Sequence, residues 1–237
     1  MGRAFEYRKA SKEKRWDKMS KLFPKLAKAI TIATKEGGGS DPLSNAKLRS
    51  AILNAKAHNL PKENIEAAIK RATKESMDLV GMIYEAKAAY GVMMIIECAT
   101  SNPNRTIANL KSYCNKHNAQ IIPNGSLEFI FERKSVFEIA EDYDLDSITL
   151  QLIDYGLEDA KKENENIYLY GSYENFGNIS NGLRELHIES KFSSLQFIPN
   201  TKVKLEDSKV KEIYNLIDKI EDDEDVQNVY TNLENGE

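Results

Sequence analysis

The sequence predicts an α+β protein with an N-terminal three-helix domain and two following α/β domains, one of them ferredoxin-like and inserted into the other. Three observations predict this fold class. Apolar residues recur every three or four positions through the first third of the chain, as in amphipathic helices. Strand-like and helix-like segments alternate after residue 79. The order of elements within 134–202 is that of a ferredoxin-like split unit.

The first third predicts three helices. The apolar face of the first comprises Met19, Leu22, Phe23, Leu26, Ala29, Ile30 and Ala33. The run Gly37-Gly38-Gly39 ends this helix as a flexible stop. A second helix fits residues 44–58, and a third begins near Pro61, a residue suited to a first helical turn. We expect this basic helical domain to cover residues 1–78.

The remainder predicts two α/β domains. Strands are expected near Ile83 and over 92–98, with a helix over 104–117. Leu127, Phe129 and Phe131 alternate as in a further strand. The predicted inserted domain, 134–202, has a strand near Val136, helices over 145–155 and 173–187, and strands over 167–170 and 192–198. A last helix over 208–220 and a strand over 226–231 lack a partner of their own. They are expected to complete the domain that begins at residue 79, which gives it the ranges 79–133 and 203–237.

Charge is divided unevenly along the chain. The formal net charge is −4, with 33 Lys and Arg residues against 37 Asp and Glu residues. Residues 1–75 hold 18 basic and 8 acidic residues, a net of +10, so the rest carries −14. Such asymmetry indicates a region that binds polyanions. The acidic run at residues 221–225 is expected to form a solvated turn.

The basic residues of the first helix form a stripe beside the apolar face. Lysines on one helix face suit contacts with phosphates, although a solvated helix face is the alternative interpretation. The predicted nucleic-acid-binding residues are Arg3, Arg8, Lys9, Lys12, Lys14, Arg15, Lys18, Lys21, Lys25, Lys28, Lys47 and Arg49.

Other chemistry is not supported by the sequence. His58, His117 and His187 lie on different predicted elements and have no local nucleophile. Cys98 and Cys114 are expected to be buried free thiols. No apolar run is long enough for a membrane span, and the polar N-terminus lacks the apolar region of a secretory signal. We therefore expect a cytoplasmic, non-enzymatic protein without cofactor, metal, small-molecule substrate or membrane partner.

Three segments resemble the YebC/PmpR family. Residues 43–75 resemble the family's N-x-x-L-R-x-A-I segment, residues 97–111 its N-R-T signature, and residues 225–233 its D-V-Q-x-V-Y segment. The family's opening G-H-S-K-W motif is replaced here by Gly2-Arg3-Ala4-Phe5-Glu6. The resemblance implies a helical domain followed by two α/β domains, and a regulatory rather than catalytic role.

The resemblance leaves several roles open. Family members are described as DNA-binding transcriptional regulators, and others as translation factors that associate with the ribosome. Asn104, Arg105 and Thr106 match the N-R-T signature, and either a structural hydrogen-bond hub or a functional role fits them. The leading interpretation is transcriptional regulation through DNA. The alternatives are a translation factor that binds ribosomal RNA, and a protein partner on the acidic α/β domains.

Overall fold

The protein has an N-terminal helical part followed by two four-stranded sheets, each covered by helices. A computed structural model describes residues 19–73, 79–163 and 165–234. Seven α-helices and eight strands lie within those ranges. The predicted α+β fold class is thereby confirmed.

Three helices form the N-terminal part. They are α1 (Met19–Glu36), α2 (Ala46–Ala57) and α3 (Lys62–Ala72). Each turns an apolar face inward, and Ile30, Leu48 and Ile65 meet in one buried cluster. The described members of this cluster all belong to residues 23–69, so the helical part has its own core.

Asn45 joins the end of α1 to the start of α2. Its side-chain oxygen accepts a hydrogen bond from the Leu48 amide at 2.9 Å, which caps α2. Its amide nitrogen donates to the carbonyl oxygens of Ala33 at 2.9 Å and Gly39 at 2.8 Å. A Cβ atom at Gly37 would lie 2.1 Å from the Asn45 oxygen, so the backbone passes too close for any side chain there. The glycine run that the sequence predicts to be a flexible stop is thus tied down by a buried side chain.

The first sheet is built from segments at both ends of the α/β region. Its strands are β1 (Val80–Lys87), β2 (Met93–Thr100), β3 (Gln120–Ile122) and β8 (Val226–Thr231), in the order β3-β1-β2-β8. All three pairings are antiparallel. Helices α4 (Pro103–Lys116) and α7 (Asp207–Glu221) supply Leu110, Leu216 and Ile220 to its core.

The second sheet lies between those segments in the sequence. Strands β4 (Phe131–Ala140), β5 (Leu157–Glu163), β6 (Asn166–Ser172) and β7 (Ser190–Pro199) form it in the antiparallel order β5-β6-β4-β7. Helix α5 (Leu145–Leu152) follows β4, and α6 (Phe176–Glu185) follows β6. This is the strand–helix–strand–strand–helix–strand order of a ferredoxin-like unit. The sequence predicts three separate domains with limits at residues 78, 133 and 202. Whether these parts fold independently stays a prediction.

The strand predicted over residues 127–131 is wrong. Residues 124–130 form turns, and Phe131 is the first residue of β4. The cause is Glu85, whose buried carboxylate accepts the amide hydrogens of Gly125 at 2.7 Å and Leu127 at 2.9 Å. These bonds curl the chain onto β1, and they leave Phe129 77% exposed while Phe131 is buried.

Candidate nucleic-acid interface

The predicted lysine stripe is present on α1, and it faces the acidic turn, residues 221–225, which runs from the last residue of α7 to the start of β8. Lys21, Lys25 and Lys28 lie at i, i+4 and i+7, a spacing that places side chains on one face of a helix. Lys21 is about half exposed, with 49% of its side chain accessible, whereas Lys25 is buried. The stripe therefore passes from solvent into a contact between two parts of the fold.

Each of these lysines donates to an oxygen of the acidic turn. The Lys21 Nζ atom lies 2.8 Å from the Asp222 carboxylate. The Lys25 Nζ atom donates to the Glu221 carbonyl oxygen at 2.6 Å. Lys28 donates to the Glu224 carbonyl oxygen and to the Asp225 carboxylate, both at 2.9 Å. The stripe and the turn thus form one charge-complementary contact.

Asp225 is the centre of this contact. Its side chain is 4% exposed and receives hydrogen bonds from Arg105 at 2.7 Å, Thr106 at 2.9 Å and Thr100 at 3.2 Å, besides Lys28. Burial alone would raise the pKa of Asp225, but the hydrogen bonds from Lys28, Arg105 and Thr106 outweigh it and lower the pKa to about 2. The carboxylate is therefore charged at every physiological pH.

The rest of the acidic turn is also anchored. Asp223 accepts hydrogen bonds from Asn109 at 3.1 Å and from the Tyr113 hydroxyl at 3.0 Å, both on α4. Its other oxygen accepts the amide hydrogen of Asp225 at 2.9 Å. Burial and the bond to Asp223 raise the pKa of Tyr113 to about 12. The turn expected to be solvated is solvated only in part, because Asp222 and Glu224 are exposed but Asp225 is buried.

The N-R-T residues divide between two settings. Thr106 is buried, and its hydroxyl lies 2.8 Å from the Thr100 hydroxyl and 3.1 Å from the Asn102 carbonyl oxygen. Arg105 reaches Asp225 from a position that leaves 55% of its side chain exposed. Asn104 is exposed, and the residue that caps α4 is Asn102, which accepts the Arg105 amide hydrogen at 3.1 Å. Two of the three residues thus contribute to the buried cluster around Asp225.

Arg49 lies on α2 and contacts the inserted sheet unit. One guanidinium nitrogen donates to the carbonyl oxygens of Pro42 and Leu43, each at 2.9 Å. The other donates to Ser180 at 2.9 Å and Asn181 at 3.0 Å, both on α6. Burial, together with the positive charge of Arg184, lowers the pKa of Arg49.

A second set of bonds continues this contact from α2 to β7. The Ser50 hydroxyl donates to the Ser193 carbonyl oxygen at 2.6 Å, and the Asn54 amide donates to the same oxygen at 3.0 Å. Arg49 therefore joins the helical part to the inserted sheet unit rather than projecting freely into solvent.

The other predicted binding residues are Lys47 and seven residues that precede α1. Lys47 is half-buried on α2. Arg3, Arg8, Lys9, Lys12, Lys14, Arg15 and Lys18 lie outside the described residues. Their contacts with phosphate stay a prediction, as do those of the lysines on α1. One signal in the sequence points to the contact: the five consecutive acidic residues at 221–225 complement a lysine stripe in charge.

The two cysteines lie in the core of the first sheet. Cys98 and Cys114 are buried and free, as predicted. Burial raises the pKa of both thiols, that of Cys114 to about 11. Within 19–73, 79–163 and 165–234, no cluster of three His, Cys, Asp or Glu side chains is arranged to hold a metal ion. No helix in those ranges has the length and apolar character needed to cross a membrane.

The chain is an α+β protein in which a lysine-bearing helical part contacts two sheet units. Comparison with known proteins identifies its family. Models of the TACO1/YebC N-terminal domain and of the TACO1/YebC second and third domain match residues 3–75 and 79–233. The chain belongs to the TACO1/YebC family.

Similar proteins cover almost the whole chain. A "Probable transcriptional regulatory protein" of Helicobacter hepaticus is 58% identical over 239 residues, which cover 99% of this chain and 100% of that protein. Proteins of the same description from Wolinella succinogenes and Helicobacter pylori are 56% and 54% identical; the alignments span 98% and 99% of this chain and 100% of each relative. The crystal structure of a conserved hypothetical protein, Aq1575 from Aquifex aeolicus, superposes with a TM-score of 0.79 at 30% identity, covering 93% of this chain and 92% of that one.

Proposed function

We propose that this protein is a transcriptional regulator that binds DNA through phosphate contacts made by its basic N-terminal residues, and that it acts in the cytoplasm without catalysis. One observation carries the proposal: residues 1–75 have a net charge of +10 in a chain whose net charge is −4. Concentrated positive charge attracts the DNA backbone and releases its counterions, whatever the base sequence. The relatives' shared description as regulatory proteins supports the same role.

The contacts on α1 and α2 favour some predicted residues over others as first points of contact. Lys25, Lys28 and Arg49 already donate to oxygens within the protein. Lys21 also donates, to Asp222, but about half of its side chain is exposed, and Lys47 is half-buried on α2. We therefore assign the initial phosphate contacts to Lys21, Lys47 and the basic residues at 3–18.

A titration of labelled duplex DNA at several salt concentrations tests the proposal. A triple variant, Lys9→Glu, Lys12→Glu and Lys14→Glu, should bind more weakly than wild type. The slope of log affinity against log salt should fall by about three, roughly one for each lost phosphate contact.

A matched control separates local contacts from overall charge. Lys111→Glu, Lys116→Glu and Lys202→Glu make the same change in net charge at exposed positions of the α/β region. This control should keep the wild-type slope. Equal slopes for the two triple variants would refute the assignment. Binding to ribosomal RNA or to ribosomes, with no salt-sensitive binding to DNA, would support the translation-factor alternative instead.

A further inference from the structure

We infer that the acidic turn, residues 221–225, competes with nucleic acid for the lysine face of α1, so that the contact seen here is an autoinhibited form. The inference rests on the function proposed above and adds how that interface is regulated. Lys21, Lys25 and Lys28 all donate to oxygens of this turn. While these bonds hold, the donor that each lysine directs at the turn is not available to a phosphate.

The acidic turn and a nucleic-acid backbone offer the lysines the same kind of hydrogen-bond acceptor. The turn presents two carboxylates, of Asp222 and Asp225, and two carbonyl oxygens, of Glu221 and Glu224. Phosphate oxygens accept hydrogen bonds from ammonium groups in the same way. A nucleic-acid strand that follows the lysine face would therefore replace each bond to the turn with a bond to phosphate.

The contact is polar rather than apolar, which makes an exchange feasible. The buried cluster of the helical part draws its described members from 23–69, and that of the first sheet draws its own from 82–233. Separation of α1 from the turn therefore leaves both cores intact. The exposed outer end of the contact, Lys21 with Asp222, is also screened by salt and can be displaced by another polyanion.

The carboxylate groups of Asp223 and Asp225 keep hydrogen-bond partners after such an exchange. When Lys28 leaves, Asp225 keeps its bonds to Arg105 at 2.7 Å and Thr106 at 2.9 Å. Asp223 keeps its bonds to Asn109 and Tyr113. No buried carboxylate is left without a partner, so the acidic turn can act as a preformed competitor.

The contact also has an accessible end from which exchange can begin. The side chains of Lys21 and Asp222 are 49% and 58% exposed, whereas those of Lys28 and Asp225 are 25% and 4% exposed. An exposed ion pair contributes little and opens readily. We expect nucleic acid to displace Asp222 first and to proceed inward along the helix.

Cross-linking the closed form tests the inference. In a Lys21→Cys, Asp222→Cys variant, a short bismaleimide joins the two new thiols, while the buried Cys98 and Cys114 stay protected. The matched control is the same variant capped with N-ethylmaleimide, which leaves the contact free to open. Affinity for labelled duplex DNA and for an RNA of the same length is then measured for both forms.

We expect the cross-linked form to bind at least about tenfold more weakly than the capped form, because access to Lys25 and Lys28 is lost. Equal affinities of the two forms would overturn the inference and leave the proposed function standing. If wild type binds neither DNA nor RNA, the proposed function fails and the inference fails with it.

A single substitution gives an independent readout. Asp222→Asn weakens the outer end of the contact and should tighten DNA binding by about two- to fivefold, the range expected for an exposed ion pair. Asp142→Asn makes the same charge change at an exposed site on the inserted sheet unit. Equal affinities of the two variants would count against competition by the turn.

Discussion

Replacing Asp225 by Asn should destabilise the protein in a manner that depends on pH. The carboxylate is buried and accepts bonds from Lys28, Arg105, Thr106 and Thr100. Asparagine preserves the shape of the side chain but removes its charge. It therefore leaves two cations without their counter-ion at the point where α1, α4 and β8 meet.

The pKa of Asp225 gives the magnitude. Its value in the folded protein, about 2, lies below the ordinary value of 3.8. One pKa unit corresponds to about 1.4 kcal/mol, so the charged form contributes about 2 kcal/mol at neutral pH. Because the folded pKa is the lower one, this stability is present above pH 3.8 and is lost as pH falls through about 2. At pH 3 roughly half remains, about 1 kcal/mol.

Urea denaturation at pH 7 and pH 3 measures this contribution. Asp225→Asn should lower the free energy of unfolding by about 2 kcal/mol at pH 7, and its difference from wild type should narrow to about 1 kcal/mol at pH 3. Asp222→Asn, at an exposed position of the same turn, is the control and should change stability by less than about 1 kcal/mol. A difference that stays constant between the two pH values would refute the reasoning.

Three further predictions concern stability and reactivity. Asn45→Ala should lower the free energy of unfolding by about 2–3 kcal/mol in urea, because it removes the cap of α2 and strands two carbonyl oxygens; wild-type stability would contradict this. Cys98 and Cys114 should not react with an aromatic disulfide reagent in the native protein at pH 8, and both should react after unfolding; rapid native labelling would contradict their burial. Phe131→Ala should cost about 3–4 kcal/mol in thermal unfolding, whereas Phe129→Ala, at an exposed site, should cost less than about 0.5 kcal/mol; equal losses would contradict the assigned turn.

Elements with one buried face were predictable from the sequence. The periodicity around Ile30 predicts a helix that ends at the glycines, and α1 ends at Glu36. The sequence predicts the last strand over the same residues that β8 occupies, 226–231. In both cases the signal is the spacing of apolar residues that are close together in the sequence. Local periodicity is therefore sufficient to predict the element.

The incorrectly predicted strand at residues 127–131 shows that local patterns omit hydrogen bonds between residues far apart in the sequence. Leu127, Phe129 and Phe131 alternate as strand residues do, but the two amides held by Glu85 lie about forty positions further along the chain. The sequence around a charged residue in a strand gives no indication of which distant backbone amides will donate hydrogen bonds to its side chain. The buried acceptor overrides the strand preference of residues 127–131, because two charge-assisted bonds outweigh a small difference in propensity.

The lysines of the candidate site could be predicted from the sequence, but what they contact in the fold could not. Helix geometry places Lys21, Lys25 and Lys28 on one face whatever lies opposite, so the stripe could be found from spacing. Whether that face meets solvent depends on residues about two hundred positions away, in the acidic turn. The acidic residues at 221–225 complement the lysine stripe in charge, but a phosphate backbone complements it equally well.

The two later segments that resemble the YebC/PmpR family meet at a single carboxylate, and this bears on what their matching residues do. Arg105 and Thr106 come from the N-R-T segment, and Asp225 opens the segment at 225–233. Their bonds hold the acidic turn in place whether or not Lys28 is attached to it. A change at Arg105 or Thr106 would therefore act on the lysine face indirectly, through the position of the competing turn. Asn104 lies exposed beside them.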